Sequence, residues 1–515
     1  MRRVKKMMSN QHPSNWTLDH AILQNAAKNP DKIAIIFENE NITYAELDKK
    51  VKKTVIWMRR HLKKGDKFVC LSMNHPNYFV LLLAAAQIGV TMVALNWRLS
   101  NKELDYQICD SAPQMVIFGC EFNKKVREII PSKSNIKLTS IEVIGDADGL
   151  SLSDQTALKK LSEPTINVGL DEPLLIVYTS GTTGRPKGAV LSQRAMQSNS
   201  VMSHHAYDME PNDVILNVLP LFHVGGLNIH SVPALIKGST VILCKVFDAS
   251  VVLSSIEKDQ VTLMNTVPTI LKSLVSHTDW SKTNISNMKM FSIGSTDVPI
   301  SIINEVHSRG IPVVQIYGAT ETAPSAIYQT RDIAFNSVGS LGKAGCDNEI
   351  RLVDTNGDDV KNGSVGEIWV KGNNVFSYYL NNRDATKLNK TEGWFHTGDL
   401  AKRDASGLYW FSGRLKHVII SGGENIYPAE LERLLIDHPQ LVEFSIVGQN
   451  DEHWGQVPVI VAVRRDPELR AEDILKIFDS EIARFKRPKE VVFVSKLPRN
   501  ALEKISVEQV VALLN

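Results

Sequence analysis

The chain has 515 residues, more than one ordinary hydrophobic core accommodates, so we expect two or three domains. Its 58 lysines and arginines against 56 aspartates and glutamates leave a net charge of +2, which gives no electrostatic case for a nucleic-acid partner. The five cysteines show no Cys-x-x-Cys spacing, so the sequence suggests neither a zinc site nor a disulfide framework. The reducing cytoplasm is therefore the predicted location.

The first residues, 1–15, are basic but lack the apolar core of a secretion signal. We predict a disordered tail there, with a weak peripheral membrane contact as the alternative. The apolar run 78–95 approaches the length of a membrane span, but Gln87, Gly89 and Thr91 interrupt it. This pattern predicts a buried helix that ends at Gly89 and a strand after it, and no transmembrane segment.

Strand-like apolar runs alternate with helical patterns over most of the chain. The strand-like runs are 68–72, 90–95, 114–118, 174–177, 214–219, 241–244 and 313–317, and helical patterns cover 44–62 and 249–258. Such alternation predicts an α/β fold with mostly parallel sheets. From about Gly339 short strands with Asn-Gly turns indicate a small β-rich unit. After Arg414 about a hundred residues of mixed pattern suffice for a small separate domain.

A polar loop follows the predicted strand 174–177. It contains Thr179, Ser180, Gly181, Thr182, Thr183 and Gly184, with Lys187 close behind. Glycines let the backbone approach an anion closely, and a lysine ammonium suits a phosphate oxygen. The spacing is not that of a Walker A loop, because no Gly-Lys-Ser/Thr follows a glycine four residues earlier. The loop predicts a triphosphate cradle of another class; a flexible polar turn is the alternative.

Residues 178–188 resemble the signature loop of the adenylate-forming enzymes, which include acyl-CoA synthetases, peptide-synthetase adenylation domains and firefly-type luciferases. Four further segments resemble later motifs of this family, in the family's order: 317–322, 393–399, 413–428 and 498–504. The resemblance implies a large N-terminal adenylation domain, a hinge and a mobile α+β cap that closes over the site. Their expected bounds are 16–413, 414–416 and 417–515, with Lys416 as the hinge residue.

The resemblance also implies chemistry, namely attack of a carboxylate on the α-phosphorus of ATP. Two anions repel, so the site must neutralise phosphate charge and align the attack. Glu321 is expected to ligate Mg²⁺ and Thr320 to contact the α-phosphate. Both follow the predicted strand 313–317, and ligands bind at such strand ends in open α/β sheets. A solvated surface carboxylate is the alternative for Glu321.

Further residues are expected to hold the nucleoside. Tyr317 is predicted to stack on adenine, with core packing as the alternative. The turn that resembles the adenine-edge loop consists of Gly294, Ser295 and Thr296. Asp399 is expected to accept hydrogen bonds from the ribose hydroxyls, and Arg414 to complete this contact. Their alternatives are a turn cap and a surface ion pair.

The last motif places the catalytic lysine at Lys504, whose ammonium is expected to reach the reacting carboxylate and α-phosphate. Glu503 departs from the family pattern, which has glycine there. In the second half-reaction CoA is the expected thiol, with Gly422 and Gly423 leaving a slot for its pantetheine arm. Lys416 would absorb the backbone change between the two steps.

The acid is predicted to be neutral and apolar. Residues 221–226 lack the aspartate that holds an amino-acid ammonium in related domains, and no lysine or arginine stands in 221–230, 265–270 or 317–330 to pair a second carboxylate. Gly225 and Gly226 are expected to leave room for the acid, and His223 to line its pocket. A medium- or long-chain fatty acid is the leading hypothesis. An aryl acid, a carrier-protein acceptor instead of CoA, and a binding protein without turnover remain alternatives, and the oligomeric state stays open.

Overall fold

A computed structural model describes residues 17–130, 135–145, 168–179, 185–294, 298–422, 424–479, 481–500 and 504–514. The expected tail 1–15 lies outside these ranges. In the first part the helices are α1 (Leu18–Lys28), α2 (Tyr44–Arg59), α3 (Asn77–Ile88), α4 (Asn101–Ser111) and α5 (Asn123–Ile129). The strands are β1 (Ile33–Phe37), β2 (Glu40–Thr43), β3 (Lys67–Leu71), β4 (Thr91–Ala94), β5 (Met115–Phe118) and β6 (Lys137–Ser140).

The second part continues the alternation. Its strands are β7 (Pro173–Thr179), β8 (Lys187–Ser192), β9 (Val214–Asn217), β10 (Thr240–Leu243), β11 (Leu263–Thr266), β12 (Met290–Ile293), β13 (Val313–Gly318), β14 (Ser325–Tyr328) and β15 (Lys343–Ala344). Its helices are α6 (Gln193–Ala206), α7 (Val224–Gly226), α8 (Val232–Lys237), α9 (Ala249–Lys258), α10 (Pro268–Val275) and α11 (Ile300–Ser308), with a π-helical turn Leu227–Ser231 between α7 and α8.

Two large sheets result. Strands β15-β14-β13-β12-β11-β9-β10-β1-β2 form the first, and β18-β8-β7-β4-β3-β5-β6 the second, where β18 is Tyr378–Tyr379. In both sheets the inner strands run parallel. Antiparallel pairs lie at both ends of the first sheet, and at the β18–β8–β7 end of the second, whose other end is the parallel pair β5–β6. This confirms the predicted α/β fold. The predicted helix 44–62 ends earlier, at Arg59.

Helix α3 lies in the largest apolar core, where all its residues but Gln87 are buried. Gly89 ends it in the left-handed conformation, at φ +69°, and its N–H bonds the Ala85 carbonyl at 3.0 Å. A helix that is apolar on all sides belongs to a protein core as well as to a membrane. None of the helices in the described part of the chain combines the length and apolar character needed to span a bilayer.

The predicted β-rich unit is an antiparallel sheet. Its strands are β16 (Asn348–Val353), β17 (Val365–Gly372), β19 (Lys390–Thr391), β20 (Trp394–Arg403) and β21 (Tyr409–Arg414), with helix α12 (Arg383–Asn389) beside it. Gly357 and Gly363 occupy its turns at φ +86° and +87°, as the Asn-Gly pairs predict.

A separate sheet with its own apolar core follows. It consists of β22 (Ile419–Ser421), β23 (Glu424–Ile426), β24 (Leu441–Asp451), β25 (Gly455–Arg464) and β26 (Glu490–Phe493), with helices α13 (Pro428–Leu435), α14 (Ala471–Leu475) and α15 (Val507–Ala512). Sheet membership thus changes between Arg414 and Ile419. This change supports the domain division that we proposed from the sequence.

Candidate active site

The polar loop joins two antiparallel neighbours. Strand β7 ends at Thr179 and β8 begins at Lys187, and these two residues face each other in the ladder. The chain therefore returns so that one lysine stands at the mouth of the loop. The Lys187 ammonium lies 5.3 Å from the centre of the Tyr379 ring, a cation–π contact. Ser180, Gly181, Thr182, Thr183 and Gly184 lie outside the described residues.

Glu321 lies near Thr179, the last residue of β7, in a single 3₁₀ turn that follows β13. Its side chain is buried, and its Oε1 accepts a hydrogen bond from the Tyr379 hydroxyl at 2.7 Å. The Thr179 hydroxyl lies 3.5 Å from the same oxygen. Burial raises the pKa of Glu321, against the lowering effect of these hydroxyls and of Lys187. A buried carboxylate with hydroxyl partners suits a hard divalent cation. Thr320 precedes it and is partly exposed.

Two of the residues expected to hold the nucleoside, Tyr317 and Arg414, contact a third, Asp399. Its Oδ2 accepts from the Tyr317 hydroxyl at 2.9 Å, and its Oδ1 lies 3.1 Å from Arg414 Nε. The β20–β21 ladder pairs Asp399 with Arg414 directly. Burial raises the pKa of Asp399, whereas Arg414 and Tyr317 act against this rise. The bond from Tyr317 to Asp399 was not predicted, and it ties the ring proposed for adenine to the carboxylate proposed for ribose.

The proposed adenine-edge turn is only partly described. Gly294 follows β12, and a Cβ there would lie 2.5 Å from the Ile316 carbonyl oxygen. Glycine is therefore required for β12 and β13 to pack as they do. Ser295 and Thr296 lie outside the described residues.

Lys504 reaches this centre from the cap. The Asn500 N–H donates a hydrogen bond to the Lys504 carbonyl at 2.9 Å. Glu503 lies outside the described residues. Desolvation and the charge of Arg414 lower the pKa of Lys504, and Asp399 acts in the opposite direction. The ammonium of Lys504, an exposed residue, thus lies within electrostatic range of Arg414 and Asp399.

The charge of Lys504 also acts on His223, the residue expected to line the acid pocket. Burial, together with the charges of Lys504 and Arg98, lowers the pKa of His223 to about 4. The imidazole is therefore neutral at physiological pH. Arg98 follows the end of β4, with its guanidinium 6.0 Å from the Phe222 ring centre. Arg98 lies outside 221–230, 265–270 and 317–330, the segments without lysine or arginine, so it is a cation near His223 that the sequence pattern did not indicate.

Gly225 and Gly226 differ in the space that surrounds them. A Cβ on Gly225 would meet only Ile229 Cδ1, at 4.0 Å, so this position borders open space. A Cβ on Gly226 would lie 2.3 Å from the Pro220 carbonyl oxygen. The expectation that Gly226 leaves room for the acid is therefore wrong, because the backbone already occupies that space.

The expected pantetheine slot also needs correction. Gly422 has φ +58°, and a Cβ there would lie 2.9 Å from Trp454 Cε3. The indole, which is 54% exposed, fills the space beside this glycine. Trp454 was missed, because no sequence pattern connects it with Gly422. Gly423 lies outside the described residues.

The expected hinge residue, Lys416, lies in a 3₁₀ turn between the two sheets. Its ammonium is 2.9 Å from Glu508 Oε1, on the last helix of the cap. The next residue, His417, has a buried Nε2 without a partner. Burial, together with Lys416 and Arg414, lowers the pKa of His417 to about 4. The expected hinge region therefore carries one charge pair and a neutral imidazole.

Comparison with known proteins shows the family of this chain. The AMP-binding enzyme family matches residues 22–380, and the AMP-binding enzyme C-terminal domain matches residues 430–504. The indoleacetate–CoA ligase of Aromatoleum aromaticum is 39% identical, with 96% of this chain and 97% of that protein covered. A feruloyl-CoA synthase of Amycolatopsis sp. is 34% identical, with 97% and 98% covered.

A solved structure shows the same fold. The o-succinylbenzoate CoA synthetase of Bacillus subtilis in complex with its acyl-adenylate has a TM-score of 0.84 and 30% identity, with 97% of this chain and 98% of that one covered. The same enzyme has also been solved with ATP and a magnesium ion. These matches confirm the family resemblance. The chain belongs to the family of AMP-binding enzymes and is an AMP-forming acid–thiol ligase.

Proposed function

We propose that this ligase activates an aryl acid and transfers it to CoA, with ATP and Mg²⁺ as its other requirements. The observation that carries the proposal is full-length similarity, at 39% and 34% identity, to ligases named for indoleacetate and ferulate. The aryl acid, an alternative at the sequence level, thus replaces the fatty acid as the leading substrate. The open space beside Gly225 and the neutral His223 are compatible with an uncharged ring.

In the first step, the substrate carboxylate oxygen bonds the α-phosphorus of ATP while the bond from that phosphorus to the bridging oxygen breaks and pyrophosphate leaves. Lys187 stands where it would neutralise the leaving pyrophosphate. Lys504, near Asp399 and Arg414, would stabilise the charge that develops on the α-phosphate oxygens. Glu321 would hold Mg²⁺, which supplies charge neutralisation between the phosphates.

In the second step, the CoA thiolate attacks the acyl carbon and AMP leaves with the electrons of the broken bond. Because Lys504 acts electrostatically on Asp399, the described arrangement suits the first step. We propose that the cap, residues 417–515, turns about Lys416 before the thiol arrives.

An acid panel tests the proposal by pyrophosphate exchange into ATP. Indole-3-acetate, ferulate, phenylacetate and benzoate are compared with decanoate and malonate, followed by CoA or a carrier-protein thiol as acceptor. We expect at least one aryl acid to exceed decanoate at least tenfold in kcat/KM, with CoA as acceptor. Preference for decanoate would restore the fatty acid, and acceptance only of the carrier protein would indicate a loader. Intact ATP binding without exchange for any acid would indicate a binding protein.

The cytoplasm remains our proposed location. All five cysteines are free in the structure, which agrees with a reducing compartment.

A further inference from the structure

Tyr379 contacts both charged groups that we propose for the pyrophosphate end. Its side chain is buried, at 5% exposure, and its hydroxyl donates to Glu321 Oε1 at 2.7 Å. The Lys187 ammonium lies 5.3 Å from the centre of the same ring. One phenol therefore contacts the carboxylate through its edge and the lysine through its face.

The backbone around Tyr379 links the same two places. In the segment 376–380, the Phe376 N–H bonds the Glu321 carbonyl at 2.8 Å, and the Leu380 N–H bonds the Gly188 carbonyl at 2.8 Å. Strand β18 also pairs with β8, the strand that begins at Lys187. The segment thus fastens the turn that carries Glu321 to the strand that carries Lys187.

The hydrogen bond selects one carboxylate oxygen. Both nearby hydroxyls, those of Tyr379 and Thr179, approach Oε1 of Glu321, which leaves Oε2 as the oxygen for a cation. Partners that orient a metal-binding carboxylate raise metal affinity because they fix its rotamer before binding. A buried carboxylate without such a partner loses this orientation and also a hydrogen bond.

The ring also separates opposite charges. Among the described residues, Lys187 and Glu321 form no ion pair within 4 Å, although each acts on the other electrostatically. A direct pair would engage the lysine and the carboxylate with each other instead of with phosphate and metal. The aromatic ring occupies a position that opposes such a pair.

We propose that Tyr379 is a positioning residue that orients Glu321 toward Mg²⁺ and keeps Lys187 available for phosphate. The inference rests on the nucleotide-binding part of the proposed function, because it takes Mg²⁺·ATP as the ligand of this end of the site. Two substitutions separate the two effects. Tyr379→Phe removes the hydrogen bond and keeps the ring, whereas Tyr379→Leu removes both.

Calorimetry of nucleotide binding, without acid or CoA and hence without turnover, tests the inference. The ligands are Mn²⁺·ATP, and ATP in the presence of a chelator. For Tyr379→Phe we expect Kd for Mn²⁺·ATP to rise about 10- to 100-fold, while Kd for metal-free ATP changes less than about twofold. Tyr379→Leu should weaken metal-free ATP as well, because Lys187 then pairs with Glu321. Tyr378→Phe, on the 41% exposed neighbour in the same strand, is the matched control and should bind as the wild type.

The background variant Glu321→Gln distinguishes positioning from a general structural effect. In that background Tyr379→Phe should leave Mn²⁺·ATP binding unchanged. A further loss there, an equal loss for both ligands, or wild-type binding by Tyr379→Phe would each overturn the inference. These readings need no acid substrate, so an acid panel without activity would reject the proposed function and leave this inference intact.

Discussion

Two adjacent glycines, Gly225 and Gly226, allow a test of the acid pocket that includes its own control. Gly225→Val adds three carbon atoms where a Cβ meets only Ile229, at 4.0 Å. If the acid lies there, overpacking against a bulky ring costs about 1–3 kcal/mol, which corresponds to a loss of about 5- to 140-fold in kcat/KM. Benzoate, a small ring, should lose less than threefold. Protein stability should change little, because the added atoms enter open space.

Gly226→Ala perturbs the fold instead. Its Cβ would lie 2.3 Å from the Pro220 oxygen and 2.7 Å from the Leu219 oxygen, whereas real Cβ contacts stay beyond 3.0 Å. The backbone must move by the difference, 3.0 − 2.3 = 0.7 Å, which we expect to cost about 1–3 kcal/mol of stability. The ratio of kcat/KM between acids should stay unchanged.

The assays are thermal unfolding and pyrophosphate exchange with indole-3-acetate and benzoate. Equal losses for both acids in Gly225→Val would show that Gly225 does not border the acid. Full stability of Gly226→Ala would refute the argument from the contact with Pro220.

Three further predictions concern charged and titrating groups. Lys504→Ala should lower the rate of adenylation about 10²- to 10³-fold, while thioester formation from supplied acyl-adenylate persists. Lys496→Ala, on an exposed residue, is the control. Equal loss of both steps would contradict the proposed cap movement. The folded pKa of His223, about 4, lies below the unfolded value of 6.5, so stability should fall as pH drops from 6.5 to 4, and urea unfolding should show a smaller fall for His223→Asn. The Lys416 ammonium lowers the pKa of Glu508, so the pair stabilises the fold above the unfolded pKa of 4.5 and this contribution is lost as pH falls. Glu508→Gln should therefore lower Tm slightly at pH 7, and the difference should vanish at about 1 M salt, where screening is strong; a difference that persists in salt would mean that the effect is not electrostatic.

Sequence reasoning succeeded where local chemistry decides the structure. Gly89 ends a helix because a left-handed residue needs no Cβ, and apolar runs such as 174–177 form strands because both faces of the inner sheet positions are buried. The place of Glu321 at the end of β13 followed from the strand-end rule for α/β sheets.

The partners of these residues were not predictable from local pattern. Tyr379 is 58 residues from Glu321 in sequence and belongs to a short strand without a phosphate-binding pattern. Arg98 approaches His223 from a loop outside the segments that carry the pocket motif. Gly225 and Gly226 look alike in sequence, and only the fold of 219–220 decides which one faces backbone. Each of these features depends on tertiary packing between distant segments.

The pairing of Asp399 with Arg414 has a consequence for how the intermediate is retained. Both residues belong to one ladder that ends before Lys416, so a rotation about Lys416 would leave both in place, although Arg414 opens the expected hinge 414–416. Of the charged groups proposed to contact the adenylate, Lys504 is the one carried by the cap. A rotation about Lys416 would replace Lys504 by a thiol acceptor at the adenylate, while the nucleotide stays bound to Asp399 and Arg414. The ladder would thus act as a stationary holder, and the reactive anhydride would pass from one half-reaction to the next without release into water.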